Sequence, residues 1–138
     1  GRLEQVFRAT DYLVRWGGEE FLIVARGTPR SRAAELAERA RLAVAAMPFD
    51  LGAGLRVAQT CSVGFSAFPL CPRLPRAMDW HAAIDMADAA LYDAKESGRN
   101  AWVGLLEAQA DSDNQLRQDI RKPLDLWAAG GRLTLQRS

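Results

Sequence analysis

Arg15-Trp16-Gly17-Gly18-Glu19-Glu20-Phe21-Leu22-Ile23-Val24 is the stretch whose reading decides the fold. Apolar and aromatic residues lead up to two glycines, two adjacent carboxylates follow, and then comes an apolar run that calls for burial. The pattern predicts a strand, a tight turn and a second strand, because Gly17-Gly18 supplies the positive φ that a short hairpin turn needs. The glycines also leave no side chain between the backbone and whatever lies above the turn. Glu19 and Glu20 then stand at the mouth of a buried hairpin, a costly place for carboxylates unless a cation or a donor meets them. Two readings stay open from the turn alone: a solvated turn with two surface acids, or a cation site.

Working outward, residues 2–9 read as the end of a helix, with Leu3, Val6 and Phe7 on one face, so the pattern begins in mid-helix and suggests a piece of a longer protein. Arg8 and Asp11 follow at a spacing that lets both project from one side, where a local ion pair would contribute well under about 1 kcal/mol if exposed. Tyr12 to Trp16 and Phe21 to Ala25 form the hairpin. Thr28 is the expected N-cap and Pro29 the first residue of the next helix, whose buried stripe is Leu36, Ala40, Ala43, Val44 and Met47 and which Pro48 stops. Arg39 lies off that stripe and faces outward.

Leu51-Gly52-Ala53-Gly54 superficially resembles the start of a dinucleotide glycine motif, but Val57 stands where the third glycine belongs and a strand follows instead of a helix, which excludes it. Residues 55–67 alternate as one long strand, with Leu55, Val57, Cys61, Val63 and Phe65 on the inner face. Asp79 caps a helix with Trp80, Ile84, Ala87, Leu91 and Ala94 on one stripe, and Gly98 closes it at the C′ position. Lys95 and Arg99 cluster at that end, where cations complement the helix dipole or grip phosphate. Asn100 to Leu106 reads as a strand. Beyond Glu107 the composition turns polar: a linker over 108–114, short helical turns around Leu116, Ile120, Leu124 and Trp127, and a strand over Arg132 to Gln136 expected to pack near Ala101 to Leu106.

The totals bound the function. With 138 residues and 49% apolar content the chain can bury a core, and a net charge of +1 gives no global field for nucleic acid or an anionic membrane. No apolar run approaches membrane-spanning length. Two cysteines and one histidine are too few for a Cys/His zinc site or a disulfide framework, which points to a reduced, cytoplasmic setting.

Two separated stretches now agree. Arg15 to Phe21 resembles the signature of the GGDEF family, the diguanylate cyclases, in its GGEEF form. Ala87-Asp88-Ala89-Ala90-Leu91-Tyr92-Asp93-Ala94-Lys95-Glu96-Ser97-Gly98-Arg99-Asn100 resembles the family's second signature. The resemblance covers about residues 2–106, giving a division into a 1–106 domain and a 107–138 tail. It implies an α+β fold, a mostly antiparallel central sheet surrounded by helices as in nucleotidyl cyclases. It also implies condensation of two GTP into cyclic di-GMP with release of pyrophosphate, by two domains facing each other as a homodimer. The same resemblance makes Glu19 a metal ligand for Mg2+ or Mn2+ and a catalytic carboxylate, with Glu20 supporting it. Gly17 and Gly18 lie against the nucleotide, and Lys95 and Arg99 hold its phosphates. Arg8-Ala9-Thr10-Asp11 resembles the family's RxxD product-inhibition motif, with Arg39 a secondary arginine of that site.

The chain also departs from the family pattern. The first strand with its DxDxFK-type motif and second metal-binding aspartate is not in this sequence, nor are the guanine-recognising residues and the asparagine-arginine signature near the domain start. The polypeptide is therefore expected to be N-terminally truncated and inactive alone, with regulatory domains in a full-length protein that is cytoplasmic or the cytoplasmic part of a membrane-linked one. A binding module that senses cyclic di-GMP without catalysis is the alternative, and a structural dimerisation module a weaker third.

Overall fold

The computed structural model describes residues 1–138. Strands β1 (Tyr12–Gly17) and β2 (Glu20–Val24) form an antiparallel hairpin that hydrogen-bonds to no other strand. Helix α1 (Ala33–Ala45) follows. Then β3 (Phe49–Asp50) and β4 (Arg56–Val57) make a second small ribbon. Strand β5 (Val63–Ser66), helix α2 (Trp80–Glu96) and strand β6 (Trp102–Ala108) form a unit in which β5 and β6 run parallel. Helices α3 (Asp113–Asp119) and α4 (Leu124–Ala129) lead to β7 (Leu133–Arg137), antiparallel to β6. The mixed α+β class is as expected, and three of the four strand pairings are antiparallel. The strands are nevertheless divided among three sheets instead of one.

The parallel pair explains two glycines that the motif left unexplained. A Cβ on Gly64 would lie 2.1 Å from the Leu91 amide nitrogen, so β5 meets the α2 backbone directly. A Cβ on Gly104 would lie 1.9 Å from the Phe65 ring, so β6 yields its space to that ring. Helix α2 starts where Asp79 accepts from the Ala82 amide at 2.8 Å. It ends at Gly98, with φ 115. The core is a cluster of 13 buried residues running from Leu70 to Leu133. It includes Leu116 and Trp127 of the last segment, so residues beyond 107 share the core of α2 and β6. Inside it, Asp119 is only 1% exposed and accepts from Lys122 and Arg132. No helix is long and apolar enough to cross a membrane.

Several local expectations are corrected. The hairpin is not buried: Tyr12, Val14, Trp16, Phe21 and Val24 are each about half exposed or more, because no further strand covers β1 or β2. Residues 2–9 hold only a 3-10 turn at Leu3–Gln5. Arg2 instead donates to the carbonyls of Val44, Met47 and Pro48 at the end of α1 and stacks over Phe49 at 3.7 Å. It thereby satisfies acceptors that a helix end leaves open.

Thr28 does not cap α1. Pro29 is extended, a 3-10 turn over Arg30–Arg32 intervenes, and Arg30 donates to the carbonyls of Leu106 and Pro69 across the chain. Met47 lies past the helix end and is 66% exposed. The strand expected over 55–67 is two pieces, because its ends pair with different partners, β3 and β6. Cys61 lies between them, and burial pushes its thiol up. Trp80 leaves the α2 stripe and stacks on His81 at 3.5 Å. The supposed polar linker is shorter than expected: Ala108 and Ala110 are both buried.

Candidate functional site

The hairpin turn is built from its own sequence. Gly18 adopts φ 49, and Gly17 pairs with Glu20 after a bulge that follows Arg15. The Arg15 guanidinium returns to the Gly18 carbonyl through Nε at 3.0 Å and Nη2 at 2.7 Å. A side chain three residues upstream thus clamps the turn, a role that the motif alone gave no reason to assign to Arg15. A Cβ on Gly17 or Gly18 would meet nothing within 4 Å, so the space above the turn is open. Glu19 and Glu20 are both exposed.

The two signature stretches meet here. Lys95, in the last turn of α2, places Nζ 3.4 Å from Glu20 Oε1 across 75 residues of sequence. The cation and the carboxylate are roughly one-third and one-half exposed, so the pair itself stabilises the fold by less than about 1 kcal/mol. Its significance is geometric: the acidic turn and the basic helix end face one space.

The end of α2 is locally unusual. The Gly98 amide bonds back to the Lys95 carbonyl and the Arg99 amide to the Ala94 carbonyl, the paired bonds of a Schellman cap. Arg99 (φ 62) and Asn100 (φ 46) then stay in the left-handed region, although neither is glycine. Such a conformation costs about 1–2 kcal/mol per ordinary residue, so the surroundings must hold it. Asn100 Oδ1 accepts from Arg41 Nη1 at 2.8 Å. Arg41 is gripped by Glu38 through Nε at 2.9 Å and Nη2 at 2.7 Å, and Glu38 also accepts from the Trp102 indole at 3.0 Å. The Arg41 guanidinium holds the Glu38 carboxyl below its usual range. Sequence reading missed Glu38 and Arg41, since on a helix they look like an ordinary solvated pair.

Arg8, Asp11 and Arg39 line one small cleft beside Arg32 and Glu35. Asp11 is not an ion-pair partner of Arg8. Its Oδ2 takes the Arg8 amide and its Oδ1 the Arg26 amide, both at 2.9 Å, and the Arg8 backbone bond holds its carboxyl low. The Arg8-to-Asp11 run is thus a closed turn that leaves the Arg8 guanidinium outside it, while Arg39 reaches the Val6 carbonyl only at 3.5 Å.

Metal binding can be tested against this geometry. No group of three or more His, Cys, Asp or Glu side chains converges anywhere in the chain. Glu19 and Glu20 form a two-carboxylate turn facing a lysine. Such a turn can offer a divalent cation one or two carboxylates and does not form an all-protein cage.

Known proteins resemble this chain in sequence and in fold. The family described as "Diguanylate cyclase, GGDEF domain" matches residues 1–101. Response regulator PleD of Caulobacter vibrioides is 38% identical over 104 residues, 75% of this chain and 22% of that protein. Diguanylate cyclase DgcP of Pseudomonas aeruginosa is 37% identical over 100 residues, 72% of this chain and 14% of that protein. The chain therefore spans about a fifth or less of these relatives' length. The crystal structure of diguanylate cyclase SiaD from Pseudomonas aeruginosa, in complex with its activator SiaC, aligns with a TM-score of 0.59 and 33% identity, covering 72% of this chain and 35% of SiaD. With the family match running through both signature stretches, and those stretches meeting at Glu20 and Lys95, the chain belongs to the GGDEF family of diguanylate cyclase domains.

Proposed function

We propose that this chain serves a diguanylate cyclase, condensing two GTP into cyclic di-GMP and releasing two pyrophosphates. The observation that carries the reading is the Glu20–Lys95 contact, which joins carboxylates able to hold a metal to cations able to hold phosphate. Glu19, with Glu20 beside it, would hold Mg2+ or Mn2+ together with the triphosphate. A bound divalent cation supplies charge neutralisation and makes the attacking hydroxyl more acidic. Gly17 and Gly18 let the backbone approach the nucleotide. Lys95 and Arg99 bind its phosphates, the ammonium as a mobile point charge and the guanidinium as a planar fork.

In the proposed reaction each 3′-hydroxyl gives up its proton to water as its oxygen attacks the α-phosphorus of the other nucleotide, the new P–O bond forms, and the α–β bridge breaks with its electrons leaving on pyrophosphate. One pocket holds one GTP, so two copies must face each other across a two-fold axis. The chemistry draws on intracellular GTP, which assigns the site to the cytoplasm. These 138 residues offer a metal only Glu19 and Glu20 at this turn, so we expect the isolated polypeptide to bind GTP without turning it over. Calorimetry with GTP and magnesium should show binding that Glu19→Gln and Lys95→Ala each weaken about tenfold, the value of one charged hydrogen bond. Binding insensitive to both substitutions sinks the reading, and cyclic di-GMP production by the isolated polypeptide removes the expectation of inactivity.

A second reading has its own observation: Arg8, Asp11 and Arg39 share one cleft. It makes the cleft a cyclic di-GMP site, either for product inhibition or for a receptor without catalysis. Cyclic di-GMP should bind the wild-type chain and fail to bind Arg8→Ala. GTP binding weakened in Glu19→Gln together with cyclic di-GMP binding lost in Arg8→Ala identifies an inhibited cyclase, and cyclic di-GMP binding alone identifies a receptor.

A further inference from the structure

We propose that Arg41, oriented by Glu38, is a positioning residue for the phosphate-binding end of α2: through Asn100 it holds the left-handed turn from which Arg99 projects. The proposal deepens the nucleotide-site reading and rests on it for the role of Arg99.

Four features of the site carry it. The Schellman bonds account for the Gly98 and Arg99 amides but not for the conformation of Asn100, which stays at φ 46 with its side chain directed to Arg41. Arg41 is itself immobilised, since Glu38 takes both Nε and Nη2 side-on and the Arg41 side chain is only 16% exposed. The same Glu38 accepts from the Trp102 indole, so α1 grips the chain on both sides of Ala101. The hydrogen bond from the Val63 amide to the Ala101 carbonyl at 2.9 Å fixes the residue between them to β5. A turn pinned at Asn100 and Trp102 fixes the backbone that carries Arg99, four residues beyond Lys95.

Arg41 does not serve simply as another cation for phosphate. Its Nε, Nη1 and Nη2 are all directed at Glu38 and Asn100, whereas Arg99 makes no side-chain bond of its own. A lysine would keep the charge but could not reach a carboxylate side-on and an amide oxygen together. This difference separates positioning from electrostatics.

The test uses the whole chain and two readouts. In amide NMR spectra without nucleotide, Arg41→Lys and Arg41→Ala should both shift the Arg99 and Asn100 amides and the Trp102 indole, and leave the Gly18 and Glu19 amides in place. In calorimetry with GTP and magnesium, both variants should weaken binding about tenfold, and Asn100→Gly should do the same. The double variant Arg41→Ala/Asn100→Gly should be no weaker than either single one, because residues acting through one contact are not additive. Hydrogen-exchange protection at Leu105 checks that each variant stays folded. Arg41→Lys binding GTP like the wild type, or unmoved Arg99 and Asn100 amides in Arg41→Ala, overturns the proposal. Wild-type chain that ignores GTP, with Arg99→Ala no different, sinks the nucleotide reading and with it the positioning of a phosphate ligand, whereas moved amides alone would still show the clamp to be structural.

Discussion

The signature hairpin and the C-terminal unit of β5, α2, β6, α3, α4 and β7 are opposite kinds of structure. The hairpin exposes Trp16 to 55% and Phe21 to 53%, while the C-terminal unit buries Trp127 to 1% and Leu105 completely. In the first 69 residues only Ala37 and Ala40 are buried. The signature turn thus lies outside the part of the molecule that buries its apolar side chains. Local backbone bonds and the Arg15 clamp shape the turn, and apolar burial holds the scaffold. A packed layer behind an open turn suits the nucleotide site proposed above, since binding groups serve best when mounted on elements that do not move.

The largest effect that would test this division is a pair of tryptophan truncations. Trp127→Ala should lose about 3–5 kcal/mol in urea unfolding, the usual cost of emptying an aromatic core position, whereas Trp16→Ala should stay within about 0.5 kcal/mol of wild type. Comparable losses would mean that the hairpin belongs to the same cooperative unit as the core. The Trp127 indole nitrogen has no protein partner, so Trp127→Phe, which breaks no bond within the chain, should be much milder than Trp127→Ala.

The next effect concerns the charge inside the C-terminal unit. Burial pushes the Asp119 carboxyl up, but the bonds from Lys122 and Arg132 outweigh it, and the net shift is downward. A lowered folded value means that its contribution is fully present above the unfolded carboxyl value of about 4 and is lost as pH falls through the lower folded value. Asp119→Asn should cost about 2 kcal/mol at neutral pH, as expected for charged hydrogen bonds. It should also flatten the loss of melting temperature on acidification below that point. An unchanged acid profile would show that the carboxylate contributes nothing to the core.

The smallest effect is at the junction of the two regions. Lys95→Ala should change unfolding free energy by less than about 1 kcal/mol, because its partner Glu20 is half exposed. A larger loss would make the contact a structural strut between hairpin and core, and a small one leaves it free for ligand binding.

Much of the site was legible because its rules are local. The Gly17-Gly18 turn, the Asp79 cap and the Gly98 stop are each written in a few adjacent residues, and the structure keeps all three. The same local logic failed where a distant partner competed. Thr28 and Pro29 carry the signals of a helix start, yet Arg30 docks on Leu106 and Pro69, and the helix begins later. Residues 55–67 alternate well enough for one strand, yet their two ends are claimed by β3 and β6. Glu38 and Arg41 had no visible signal, since a helical acid and base three residues apart are ordinary until Asn100 and Trp102 arrive from the far side of the fold.

By itself, then, the sequence determined the family, through glycines and carboxylates at one turn and a lysine and an arginine at one helix end. Only the tertiary structure decided that these ends meet at Glu20 and Lys95, that β5 runs parallel to β6 with Gly64 against α2, and that the last segment completes the core. The reason is physical. Turn and cap preferences depend on the backbone geometry of a few consecutive residues, whereas strand pairing and ion contacts across 75 residues depend on which buried surfaces fit together, which no local window contains.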